Sequence, residues 1–157
     1  MTTSAPQSNA PARDVQVSAI GADTVLLRSR SWQRLRFEVE YALEKGTTAN
    51  SYLIKGRETA LIDPPGGSFT DIFLEALAEQ IPLVDLDYII LGHVNPNRLE
   101  TLQILLEKAP QATVVCSNPA AIALKAAELA PEPTLQVIKG DDNLHLGQRH
   151  LLQFVLR

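Results

Sequence analysis

The sequence predicts an α/β (or α+β) sandwich organised around a mixed sheet, and three observations carry that expectation. In the first third, apolar and polar residues alternate between turn signals, as in hairpin-connected strands. From Leu61 onward, short apolar runs take turns with patterns of helical period. Prolines and glycines punctuate almost every one of these segments. The 157 residues suffice for one domain with a sizeable core. A content of 45% hydrophobic and 20% charged residues excludes a disordered chain, and a net charge of -4 gives no general attraction to nucleic acid or anionic membranes. No apolar run approaches the ~20 residues of a membrane span. The single cysteine, Cys116, cannot form an internal disulfide, so a cytoplasmic setting is expected.

Met1 to Ala12 is rich in Ser, Thr, Ala and Pro and lacks the charged and apolar regions of a signal peptide. Residues 1–13 are expected to be a disordered leader and 14–157 the domain. Val15 to Arg30 reads as two strands about Gly21-Ala22-Asp23. Arg28, Arg30, Arg34 and Arg36 gather around Trp32, which could form a phosphate patch. Strict alternation of Leu35, Phe37, Val39 and Tyr41 with charged residues of both signs favours a half-buried strand instead.

Gly46 to Ile54 is a turn leading into a strand, returned at Gly56 through Thr59 to Ile62. Asp63-Pro64-Pro65-Gly66-Gly67 must interrupt regular structure. Asp63 is either a site carboxylate or a turn former. Ser68 and Asp71 resemble a capping box for a helix with Phe69, Ile72, Phe73, Ala76 and Leu77 on its apolar face, ended by Pro82.

Asp87 to Gly92 is a buried strand that empties into His93-Val94-Asn95-Pro96-Asn97-Arg98. A polar turn between a strand and a helix is where α/β proteins usually place their chemistry. The helix that follows carries Leu99, Leu102, Leu105 and Leu106 and stops at Pro110. Ala112 to Cys116 is a strand, Asn118-Pro119 opens a helix carrying Ile122, Ala126 and Leu129, and Leu135 to Ile138 is another strand. After Gly140-Asp141-Asp142-Asn143, the residues Leu144, Leu146 and Leu151 to Leu156 read as a hairpin. The sequence ends inside a strand pattern without a cap, so a domain incomplete at its C-terminus is expected.

Trp32-Gln33-Arg34-Leu35-Arg36-Phe37, the Gly46–Ile54 stretch, Leu61-Ile62-Asp63 and the His93 turn occur in this order at suitable spacing. Together they resemble the N-terminal metallo-β-lactamase-like domain of flavodiiron proteins, of the cyanobacterial diflavin type, from about Asp14 to the end. The resemblance implies an αββα sandwich. It implies a family in which two non-haem irons reduce oxygen, or in some members nitric oxide. FMN on a following flavodoxin-like domain supplies electrons across a head-to-tail dimer, and an extra flavin-reductase module draws on NAD(P)H. FMN, FAD and di-iron would thus belong to the full-length protein, and a homo- or heterodimeric flavodiiron subunit would be the partner.

The family's turn has the pattern H-x-E-x-D-H. Here His93 is the one retained ligand type, with Asn95, Asn97 and Arg98 in the positions of Glu, Asp and the second His. Asn oxygens are weak neutral ligands, and Arg offers no lone pair and stays charged. A guanidinium ~6 Å from a divalent ion repels it by roughly 5 kcal/mol at an effective dielectric of ~20. The turn is therefore expected to hold no metal, and this chain no catalytic residue or cofactor of its own. Asn97 with Glu100 would instead cap the helix at Leu99, and Arg98 would fill the metal's place, paired with a carboxylate or an anion. His145 and His150 lack partners at metal spacing, Cys116 is expected to be a buried inert thiol, and Gly66-Gly67 lacks the pattern of a phosphate loop. The alternatives are a non-catalytic dimerisation or scaffold domain and, more distantly, a glyoxalase-type hydrolase needing H-x-H-x-D-H.

Overall fold

Among the described residues, seven strands form one sheet in the order in which the chain makes them. This computed structural model describes residues 12–32, 46–92, 94–147 and 151–154. Strands β1 (Arg13–Ala19), β2 (Thr24–Ser31), β3 (Thr47–Lys55) and β4 (Thr59–Ile62) run as an antiparallel meander. The sheet then turns parallel through β5 (Tyr88–Ile90), β6 (Thr113–Ser117) and β7 (Thr134–Ile138). Helices α1 (Thr70–Ala78), α2 (Leu99–Lys108) and α3 (Asn118–Ala126) supply the crossovers that parallel strands require. A short hairpin of β8 (Asn143–His145) and β9 (Leu151–Gln153) forms a second sheet.

The pleat divides the core into two. Leu53, Leu61, Ile89, Val114 and Cys116 share one cluster with the buried faces of the helices, among them Phe73, Leu77, Leu102, Leu105 and Leu124. Their neighbours in sequence, Ile54, Ala60, Ile90 and Val115, share the other with Ile138 and with Leu144 and Leu146 of the hairpin region. Burial on both faces explains why β5 and β6 read as continuous apolar runs and not as alternation.

Several local expectations change. Helix α1 starts with Phe69 at its N-cap and no side-chain cap, so Ser68 and Asp71 form no capping box. Asp71 instead binds Arg13 of β1 (3.0 Å), whose guanidinium also donates to the Ser68 carbonyl, and this draws the carboxylate towards the sheet. The same helix ends at Ala78, before Pro82 is reached. Helix α3 is capped by Ser117, which accepts from the Ala120 N–H, and it buries Ala120, Ala121 and Leu124. Ile122 is 63% exposed, because the helix presents its small-residue face to the sheet. Strand β1 already begins at Arg13; the expected strand through Leu35 to Tyr41 and the leader residues 1–11 lie outside the described residues.

The arginines of β2 have partners within the sheet. Arg30 makes a two-pronged pair with Asp14 (2.7 and 2.6 Å) and lies 5.6 Å from the Trp32 ring centroid, while Arg28 donates to Asn50 (3.1 Å). The Arg30 hydrogen bond outweighs partial burial and holds the Asp14 carboxyl below its ordinary value. A depressed folded-state pKa stabilises the fold above the unfolded value of ~3.9, and that contribution vanishes as pH falls through the folded value. Between neutral pH and about pH 3, Asp14→Asn is therefore expected to lose less thermal stability than the parent chain, by melting curves at stepped pH.

Candidate functional site

The site lies where β4 and β5 end side by side, at the carboxyl edge of the parallel strands. Asp63 leaves β4 with φ 51°, a left-handed conformation that Asp tolerates better than most residues. Its backbone is tied on both sides: its N–H donates to the Ile90 carbonyl (2.9 Å), and its carbonyl accepts from the buried Ser51 hydroxyl (2.7 Å). The carboxylate accepts the Gly92 N–H (2.7 Å). A Cβ on Gly92 would stand 2.9 Å from the other carboxylate oxygen, so a side chain there would make the carboxylate shift.

Arg98 reaches the same carboxylate. Its Nη1 lies 3.4 Å from Asp63 Oδ1 and 3.4 Å from the Pro64 carbonyl, joining the loop after β4 to the loop after β5. The two side chains are 20% and 31% exposed, so solvent screens the pair and its coupling should be modest. A double-mutant cycle of Arg98→Gln and Asp63→Asn is expected to give about 0.5–1 kcal/mol of coupling in urea unfolding, declining with added salt.

Asn97 stands differently from the sequence expectation. Pro96–Arg98 is a 3₁₀ turn that runs into α2, whose N-cap is Arg98 with no side-chain cap, so Asn97 does not cap the helix. Pro96 starts the turn early, and Asn97 packs against the Pro-Pro-Gly-Gly loop: a Cβ on Gly66 would lie 3.2 Å from Asn97 Nδ2 and 3.3 Å from its carbonyl. A Cβ on Gly67 would overlap the Glu100 carboxylate. This packing of Gly66 against Asn97 was not legible in the sequence, where Gly66 and Gly67 read only as loop breakers. Asn95 Oδ1 and Asn97 Oδ1 are buried and accept no hydrogen bond from a described group.

His93 and His150 lie outside the described residues. His145 is exposed between buried Leu144 and Leu146, on the outer face of the hairpin. Cys116 is fully buried, and burial pushes its thiol above the ordinary value, which suits an inert side chain. Among the described residues, no three His, Cys, Asp or Glu side chains gather around a possible metal position. No helix among them is long and apolar enough to cross a membrane. Beside Gly92, a cavity of about 300 Å³ opens between the ends of the parallel strands and the hairpin, lined by Ile62, Ile90, Ser117, Ile138 and Phe154.

The profile of the ODP family beta lactamases matches residues 47–156. Diflavin flavoprotein A 4 of Nostoc sp. (strain PCC 7120) is 62% identical over 143 residues, which are 91% of this chain and 25% of that protein. The chain thus spans about a quarter of the length of the curated relatives it matches. The metal-soaked Flv1 flavodiiron core from Synechocystis sp. PCC6803 superposes with a TM-score of 0.85 at 55% identity, covering 90% of this chain and 36% of that one. The rubredoxin oxygen:oxidoreductase of Desulfovibrio gigas superposes with a TM-score of 0.74 at 25% identity, covering 84% of this chain and 33% of that one.

Proposed function

The chain belongs to the ODP beta-lactamase family and has the metallo-β-lactamase-like fold of flavodiiron cores, and on that premise we propose that it is the N-terminal part of a diflavin flavodiiron subunit with a metal-free site. Residues 13–157 form the first part of the oxygen-reducing core domain. The whole protein serves NAD(P)H-dependent oxygen reduction and electron transfer in the cytoplasm. FMN and FAD sit on its other modules, and a second flavodiiron subunit, identical or different, completes the dimer.

The pairing of Arg98 with Asp63 carries the metal-free reading. Iron held by oxygen and nitrogen donors needs lone pairs and compensating negative charge. Here a permanent cation engages the Asp63 carboxylate at the end of β4, and neighbouring Asn95 and Asn97 offer only neutral amides. These residues do not fit a di-iron centre, and no step of oxygen chemistry is assigned to them. The subunit instead contributes its flavins or its fold to a partner that keeps its ligands.

The test is metal loading. The purified chain, incubated anaerobically with excess ferrous iron and desalted, should retain well below one iron per chain by elemental analysis. Stoichiometric retention of two irons would end this reading. The full-length homomer should likewise consume oxygen with NAD(P)H far more slowly than a mixture with a ligand-complete subunit. Equal rates would show that no such partner is needed.

A further inference from the structure

Ser51 sits where β3 and β4 part company. The ladder between them ends at Tyr52 opposite Ile62, so Ser51 is the next residue on β3 and Asp63 the next on β4. Asp63 enters the left-handed region there, and its N–H goes to β5, at the Ile90 carbonyl. A conformation of that kind persists only where its surroundings over-determine it. The Ser51 hydroxyl donates to the Asp63 carbonyl at 2.7 Å, so a side chain of β3 continues a ladder whose backbone register has ended. Ser51 is itself fixed: it is fully buried and registers with Leu27 of β2.

We propose that Ser51 is the positioning residue of this site. Holding both the N–H and the carbonyl of one residue fixes the direction of its Cα–Cβ bond. Here that direction sends the Asp63 carboxylate across to the loop after β5, where it takes the Gly92 N–H and meets Arg98. Without the hydroxyl, the carbonyl end of Asp63 is free to swing, and the carboxylate is no longer aimed at its two partners. A neutral group inside the sheet thus decides where the cation of the turn finds its counter-charge. The inference rests on the metal-free reading for its consequence, since Arg98 keeps its place through the carboxylate that Ser51 aims at it.

Ser51→Ala and Ser29→Ala, compared by NMR, test the proposal. Ser29 is equally buried on the same sheet face, and its hydroxyl has no hydrogen-bond partner among the described residues. Both changes delete one buried hydroxyl, but only Ser51→Ala should reach the site. Its Gly92 amide proton should leave the downfield position of a charge-assisted bond and exchange with solvent about tenfold faster. In the Ser51→Ala background, the coupling between Arg98→Gln and Asp63→Asn should disappear. Should Ser51→Ala fail to fold, Ser51→Cys, with a weak thiol donor, takes its place. A Gly92 signal and a coupling that stay those of the parent overturn the proposal, as does a Ser29→Ala effect of the same size. Iron retention by the parent chain reports on the metal-free reading alone, so either can fail without the other.

Discussion

Asn95→Glu, Asn97→Asp and Arg98→His introduced together are expected to raise the affinity of the turn for a divalent ion on the order of a thousandfold or more. Removing a guanidinium ~6 Å from the ion relieves roughly 5 kcal/mol of repulsion at an effective dielectric of ~20. The added carboxylates and imidazole supply donors with the charge and lone pairs the parent turn lacks, alongside the retained His93. Cobalt titration followed by its visible absorption reads the outcome directly. The single change Arg98→Gln separates the two causes, because it removes the charge and adds no strong ligand. It should recover only part of the gain. If the triple variant binds no better than the parent, residues 95–98 are not what keeps metal out, and the metal-free reading loses its physical basis.

Gly46→Ala is expected to cost about 2–4 kcal/mol, far more than an ordinary loop substitution. Gly46 has φ +76°, where an L side chain costs about 1–2 kcal/mol. A Cβ there would overlap the Ser31 carbonyl oxygen and lie 3.2 Å from its carbon and 3.3 Å from Trp32 Cα. These are backbone atoms that cannot rotate aside. Ser31 pairs with Thr47 at the last register position of β2 and β3, so relief would mean opening that end of the ladder. Urea unfolding should show a lower midpoint with little change in slope, and melting should fall by about 5–15 °C. Gly140→Ala is the control: a Cβ there meets nothing within 4 Å, and its stability should stay within about 0.5 kcal/mol of the parent.

Much of the fold was readable because hydrophobic period and turn chemistry agree along this chain. The hairpins β1–β2 and β3–β4 follow from strand patterns on either side of Gly21 and Gly56, and the parallel half from apolar runs separated by helical patterns. The face of α2 was legible in its leucines at 102, 105 and 106, since branched apolar residues at helical spacing have one place to go. The face of α3 was not. An alanine-rich helix can turn several sides to a sheet, and close approach selected Ala120, Ala121 and Leu124 while leaving Ile122 outside. Capping failed as a guide at two helices for a related reason. Ser68 and Asn97 have the right chemistry, but α1 and α2 are entered through 3₁₀ turns that move the cap past them.

The sequence by itself determined the fold class, the polar turn at the end of β5 that makes the candidate site, and the residue types available there. Those follow from local pattern and from what Asn and Arg can donate. Only the tertiary structure decided that Arg98 meets Asp63, that Gly92 donates to the carboxylate, and that Gly66 packs against Asn97. Each of these contacts joins residues about thirty positions apart. Their meeting depends on parallel pairing of β4 with β5, which brings two loops to one edge of the sheet and leaves no trace in either loop's own sequence.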